Sequence, residues 1–190
     1  MARKTKQYGR LPGDPTKDEM IERIIRVDQA GEYGAKRIYE GQLAVLGDTK
    51  DGPILKEMAA AEEKHLDAFN KMVIERRVRP TALTPLWHVA GFALGAGTAL
   101  LGWEAAMACT VAVEEVIEEH YADQSARLGA LPKSENEAEL QQVIEEFKAE
   151  EIEHRDIGLA NDAEKAPAYP VLSAAIKSGS RLAIWLSERI

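Results

Sequence analysis

Glu62-Glu63-Lys64-His65 and Glu151-Ile152-Glu153-His154 decide how this chain is read. Each holds Glu-x-x-His within a long stretch of helical apolar spacing, and on a helix residues i and i+3 share one face a turn apart. Carboxylate and imidazole are therefore presented side by side twice. Each pair is preceded by an apolar-faced helix with a glutamate at mid-length, Glu32 before the first and Glu114 before the second. Two hairpins of this kind match a carboxylate-bridged di-iron or di-manganese site in a four-helix bundle.

The punctuation around these motifs sets the helices. Thr16 with Glu19 spells a capping box after Pro15, so a first helix runs from about 17 to Leu46. Gly47-Asp48 and Gly52-Pro53 mark a turn, and a second helix covers about 53–78 before Pro80 and Pro85. A third runs from about Glu104 to Leu128 and ends at Gly129-Ala130-Leu131-Pro132. Ser134 and Glu137 are candidate caps for a fourth over about 135–163. Pro167 and Pro170 precede a last amphipathic helix over about 171–189. Glu114 lies 14 residues before Leu128 and Glu151 lies 16 after Glu135. At ~1.5 Å per residue these are ~21 and ~24 Å from their turn, one level of a bundle. Glu32 and Glu62 agree to about a helical turn, a mismatch that narrows if the second helix starts a turn earlier.

Packing selects among neighbouring glutamates. Glu62 shares its stripe with Leu55, Met58, His65, Phe69 and Met72, whereas Glu63 lies with Lys56, Asp67 and Asn70. Glu114 lies with Met107, Val111, Ile117 and Tyr121, whereas Glu115 lies with Glu118 and Glu119. Glu32 aligns with Ile21, Ile25, Asp28, Ala35 and Tyr39, flanked by Gly31 and Gly34, which would permit close helix approach. On the fourth helix Ile144, Phe147, Glu151 and His154 form the inward face, with Glu150 and Glu153 off its centre. Four buried carboxylates without compensation would cost several kcal/mol each. Two divalent ions on Glu32, Glu62, His65, Glu114, Glu151 and His154 remove that cost, and an oxygen and nitrogen donor set without thiolate suits iron or manganese. Asp28, a turn from Glu32, either holds a ligand histidine's second nitrogen or is solvated. His120-Tyr121 reads either as a core tyrosine with its neighbour or as a proton or electron relay beside the metals.

Composition agrees with an all-α fold. The chain has 190 residues, only 6% of them aromatic, and no Val/Thr-rich alternating run. Residues 17–190 read as one domain and 1–16 as a flexible basic lead-in. Net charge of −8 argues against a nucleic-acid partner. The lone Cys109 excludes an internal disulfide and reads as a small core residue. Residues 86–103 hold no formal charge, yet their glycines and His88 argue against a stable span. They read as a membrane-interface segment, with Trp87 and Trp103 at headgroup level and Arg76, Arg77 and Arg79 on lipid phosphates.

The stretches Ile25–Ala35, Gly91–Gly102, Ala106–Glu115, Glu150–Gly158 and Leu186–Ile190 resemble the demethoxyubiquinone hydroxylases of coenzyme Q biosynthesis. The resemblance covers about residues 20–190; Gln29 stands where that family commonly has histidine. It implies a ferritin-like bundle holding two iron ions on the six residues named above. The implied activity is an O₂-dependent monooxygenase acting on a polyprenyl demethoxyquinone with NADH-derived electrons, for which Arg23, Arg26 and Arg181 are candidate docking residues. It further implies peripheral attachment to the mitochondrial inner membrane on its matrix side, or to a bacterial cytoplasmic membrane, with a lipid-binding partner protein and self-association. An iron-storage or peroxide-scavenging protein, or a membrane-bound scaffold retaining the site, would share the ligand set.

Overall fold

The computed structural model describes Gly13 and residues 15–190; the basic lead-in falls largely outside these residues. Six α-helices and no strand occur among the described residues: α1 (Lys17–Leu46), α2 (Gly52–Glu75), α3 (Thr84–Leu100), α4 (Trp103–Gly129), α5 (Ala138–Ala160) and α6 (Tyr169–Ser187). α1 and α2 form one hairpin and α4 and α5 the other, while α3 lies along α1 and α6 along α4.

The capping box forms as the sequence spells it: Thr16 Oγ1 accepts from Glu19 N at 3.1 Å, and Glu19 Oε2 accepts from Thr16 N at 2.6 Å. The other end of the second hairpin differs from expectation. α5 begins only at Ala138, after a 3-10 turn over Lys133–Glu135, and neither Ser134 nor Glu137 caps it. Glu137 instead accepts from Lys17 at 2.7 Å and Arg76 at 2.7 Å, tying α1 and the end of α2 to the start of α5. Two basic partners outbid a cap hydrogen bond and hold its carboxyl below the ordinary value despite partial burial. α2 stops at Glu75, three residues short of the expected end, where Arg77 turns left-handed at φ 53°.

Two cores flank the middle of the bundle. Tyr39, Leu55, Met58, Met107 and Val111 form one; Ile25, Phe69, Leu128, Leu140 and Ile144 form the other. The uncharged segment forms α3 and packs tightly on α1 through glycines other than those singled out from sequence. A Cβ on Gly95 would lie 1.9 Å from Ile38 O, and one on Gly41 would lie 2.3 Å from Phe92 O. Gly31 and Gly34 have nothing within 4 Å of that position, although Gly34 O lies 2.9 Å from where a Cβ on Gly91 would stand. Gly95→Ala is expected to destabilise the protein by about 3 kcal/mol, since the obstructing atom is backbone and cannot swing aside. Chemical denaturation measures it, and an unchanged midpoint would show that α3 is free to move.

The tryptophans also depart from expectation. Trp87 Nε1 donates to Ser187 Oγ at 3.0 Å, and Trp103 packs against the first core, so both rings are turned into the fold. Trp185 on α6, 52% exposed, is the one that faces outward. Both rings are half-buried, and α6 supplies the partner for the N–H of Trp87.

Candidate metal centre

Between the two cores, where apolar packing would be expected to continue, six polar side chains meet. Glu32 comes from α1, Glu62 and His65 from α2, Glu114 from α4, and Glu151 and His154 from α5. All are buried, Glu62 and Glu151 completely. They form two overlapping groups, Glu32, Glu62, His65 and Glu151, and Glu62, Glu114, Glu151 and His154. In each, one potential ligand atom per residue lies within 4.8 Å of the others. Glu62 and Glu151 belong to both groups, which makes them the shared pair, and each remaining glutamate stands with one histidine.

The inward atoms are orphaned. Glu32 Oε2, both carboxylate oxygens of Glu62 and Glu151, Glu114 Oε2, and Nδ1 of both His65 and His154 have no hydrogen-bond partner. Buried polar atoms are nearly always satisfied, so eight such atoms facing one another call for a bound cation. The donor chemistry fits a pair of divalent transition ions. Outward atoms, by contrast, are held. Tyr39 Oη donates to Glu114 Oε1 at 3.2 Å, and Tyr121 Oη donates to Glu32 Oε1. His65 Nε2 lies 2.9 Å from Glu150 Oε2, and its ring stacks on Phe147 at 4.0 Å between centroids.

Electrostatics reflect the same crowding in the metal-free protein. Burial, then the charges of neighbouring carboxylates, push Glu62 and Glu114 well above the ordinary value. Burial also raises Glu32. Burial acts upward on Glu151 too, but the imidazoles of His154 and His65, 3.4 and 3.2 Å from its oxygens, overcome it and bring it down to about 2. For His65 burial acts downward, but the carboxylates of Glu151 and Glu32 prevail and raise it to about 12. Without cations the cluster therefore stores protons in place of metal charge.

Residues around the cluster correct parts of the sequence reading. Asp28 does not reach a cluster histidine, nor is it solvated: its Oδ1 accepts from Gln124 Nε2 at 2.7 Å and lies 3.5 Å from His120 Nε2. The carboxylate that does hold a cluster histidine is Glu150, set aside earlier for lying off the inward face. Its signal was the need of His65 for an outer acceptor, which α5 is placed to supply. Tyr39 was read only as a stripe residue; its hydroxyl role had no sequence signal. Tyr121 touches the cluster directly, whereas His120 reaches only Asp28 and Gln124, 2.8 Å from the latter. Of the candidate nicotinamide-docking arginines, Arg26 donates to Arg79 O at 2.7 Å, Arg181 pairs with Glu119 at 2.9 Å, and Arg23 is exposed.

A cavity of about 400 Å³ lies among α1, α3, α4 and α6, the first and third of which also carry Glu32 and Glu114. Val27, Ile38, Leu94, Val113 and Ile117 give it an apolar lining, and its polar residues are Ser180, Ser187 and Trp87.

An all-helical protein with a buried carboxylate–histidine cluster, fitted for a pair of cations and set against an apolar cavity, is the class that fold and site define. The family model described as ubiquinone biosynthesis protein COQ7 matches residues 19–187, and the chain belongs to that family. It is 61% identical to the 3-demethoxyubiquinol 3-hydroxylase of Rhodospirillum rubrum, over 95% of this chain and 84% of that one. It is 59% identical to the human mitochondrial NADPH-dependent 3-demethoxyubiquinone 3-hydroxylase, over 90% and 78%. The mitochondrial 5-demethoxyubiquinone hydroxylase of Saccharomyces cerevisiae is 44% identical, over 90% and 78%.

Proposed function

We propose that this chain hydroxylates the ring of demethoxyubiquinol, or of the corresponding quinone, in ubiquinone biosynthesis. Eight orphaned nitrogen and oxygen atoms facing one another carry the reading, since they fit a cation pair and adjoin a cavity that fits an apolar substrate. Family membership then selects the hydroxylase from the storage and scaffold alternatives. The bundle of α1, α2, α4 and α5 is taken as ferritin-like and residues 17–190 as one domain, with α3 and α6 added to it.

In this assignment Glu32 and His65 would hold one iron and Glu114 and His154 the other, with Glu62 and Glu151, which belong to both groups, available to each. Two irons so held supply O₂ activation and the oxidising power for hydroxylation. The chain's own residues do the rest. Tyr121 keeps a proton on Oη beside Glu32, because burial and then the charges of Glu32 and Asp28 raise it well above the ordinary value. His120 opens on a surface cleft with Arg181 and Glu119 and leads inward to Asp28, a turn from Glu32. These groups are placed to relay protons between solvent and the cluster. Val113 and Ile117 line the cavity beside Glu114 and exclude water from it.

Glu150 orients His65 from outside. Glu150→Ala is expected to lower metal affinity by about 10- to 100-fold, measured by chelator competition; retention of full affinity would remove Glu150 from this role.

NADH was expected as electron donor, and the bovine and human mitochondrial relatives are named NADPH-dependent; a reduced nicotinamide is the donor proposed here. No helix among the described residues is long and apolar enough to cross a membrane. Leu86, Val89, Leu100 and Leu101 near α3, and Val171, Leu182 and Trp185 on α6, are all exposed and support peripheral contact with a bilayer. The deciding experiment supplies iron-loaded protein with a short-tailed demethoxyquinone, a reduced nicotinamide and ¹⁸O₂. The product is expected to gain one labelled oxygen; a protein that takes up iron and forms no labelled quinone is not this hydroxylase.

A further inference from the structure

The glycines of the helices sort into two kinds. Gly41, Gly91 and Gly95 have backbone or Cβ atoms within 3 Å of where their own Cβ would stand, so helix packing explains them. Gly31 and Gly34 on α1 and Gly179 on α6 have nothing within 4 Å of that position, and none has a left-handed φ. Neither packing nor backbone conformation calls for glycine there, and apart from proline glycine is the least favourable residue inside a helix. All three line the cavity, whereas the exposed Gly97 on α3, equally open at its Cβ position, does not. Ala90 and Gly179 are exposed as well as cavity-lining, which sets the mouth between α3 and α6. Gly31 and Gly34 are half-buried and form part of the α1 wall of the cavity.

Resting on the hydroxylase reading above, we propose that Gly31, Gly34 and Gly179 determine substrate specificity: bare backbone there makes room for the quinol's apolar tail. The ring itself is an unsuitable occupant of this stretch. Its oxygens need hydrogen-bond partners, and the polar side chains of the cavity, Trp87, Ser180 and Ser187, stand on α3 and α6 and none on α1. The tail has no such need. A tail filling the cavity lies across Gly31 and Gly34 and leaves beside Gly179. A methyl group at these positions intrudes on the tail and on nothing in the protein.

The test uses metal-loaded wild type, the double variant Gly31→Ala/Gly34→Ala, and Gly179→Ala. Binding of a tailed and a tail-less demethoxyquinone is followed by quenching of tryptophan fluorescence, for which Trp87 stands in the cavity wall. The double variant is expected to bind the tailed quinone about tenfold or more weakly, the scale of one misfitting methyl group. Its affinity for the tail-less quinone should stay within about twofold. Gly179→Ala should weaken tailed binding in the same sense. Melting temperatures should rise by about 2 °C per site, because alanine replaces glycine in a helix with room to spare. Unchanged tailed binding, equal weakening of both quinones, or a fall in melting temperature would each overturn the proposal. A wild type that discriminates the tail yet hydroxylates nothing would overturn the function instead and leave this assignment standing.

Discussion

Glu114→Gln is expected to hold one metal ion per chain or fewer and to lose hydroxylation by roughly a hundredfold or more, since even outer-shell changes at metal sites cost 10–100-fold. Glutamine keeps the length of the side chain and an oxygen for Tyr39 Oη, so the hydrogen bond at 3.2 Å survives. What disappears is one negative charge in a pocket whose inward atoms have no other partner. A single amide in place of a carboxylate leaves a second cation under-neutralised beside His154. The metal-free variant should be at least as stable as metal-free wild type, because a buried carboxyl pushed toward protonation by burial and by Glu151 and Glu62 is replaced by a neutral isostere. Elemental analysis, turnover and a denaturation midpoint together decide it. Full metal content with full activity would remove Glu114 from the centre, and a large loss of stability would make it a structural residue.

Removing the metals should also make stability fall as pH rises. Glu62 and Glu114 have folded values raised well above the ordinary 4.5, and His65 is raised from 6.5 to about 12. A group raised on folding contributes fully below its unfolded value and loses that contribution as pH climbs toward its folded value. Above pH 4.5 the two glutamates therefore weaken the metal-free fold, and above 6.5 His65 adds to the decline, by about 2 kcal/mol between pH 6.5 and 8. Glu151 acts oppositely, but its contribution is lost only as pH falls from 4.5 through about 2, below this window. Bound cations require the ligands deprotonated, so metal affinity grows with pH and the gap between loaded and metal-free protein widens. Denaturant titrations at pH 5 and pH 8 with and without chelator measure this. Parallel curves for the two forms would show that the cluster does not exchange protons for metal.

Several misreadings of the sequence have a common cause. Gly31 and Gly34 looked like helix-packing glycines because a glycine pair beside a core position usually is one. Only the placement of α3 shows that the close contacts fall at Gly41, Gly91 and Gly95 and leave the other two facing a cavity. Trp87 looked like a membrane anchor until α6 put Ser187 against it, 100 residues along the chain. Glu150, rather than Asp28, meets a cluster histidine for the same reason. Which carboxylate meets an imidazole depends on how two helices are rotated against each other, and periodicity along either helix does not encode that.

Taken alone, the sequence determined what local spacing and composition can determine. Helical period chose Glu62 over Glu63 and Glu114 over Glu115, the Glu-x-x-His pairs placed acid beside base, and turn residues divided the chain into two matched hairpins. Tertiary structure alone decided which atoms face one another across helices: the sharing of Glu62 and Glu151 between two groups, the hold of Tyr39, Tyr121 and Glu150 on the outer atoms, and the cavity enclosed by α3 and α6. The division follows from range. Side chains three or four residues apart are neighbours by helix geometry whatever the fold, whereas partners 75 or 89 residues apart, as for Tyr39 with Glu114 and Tyr121 with Glu32, meet only once packing has set the helices' rotation and depth.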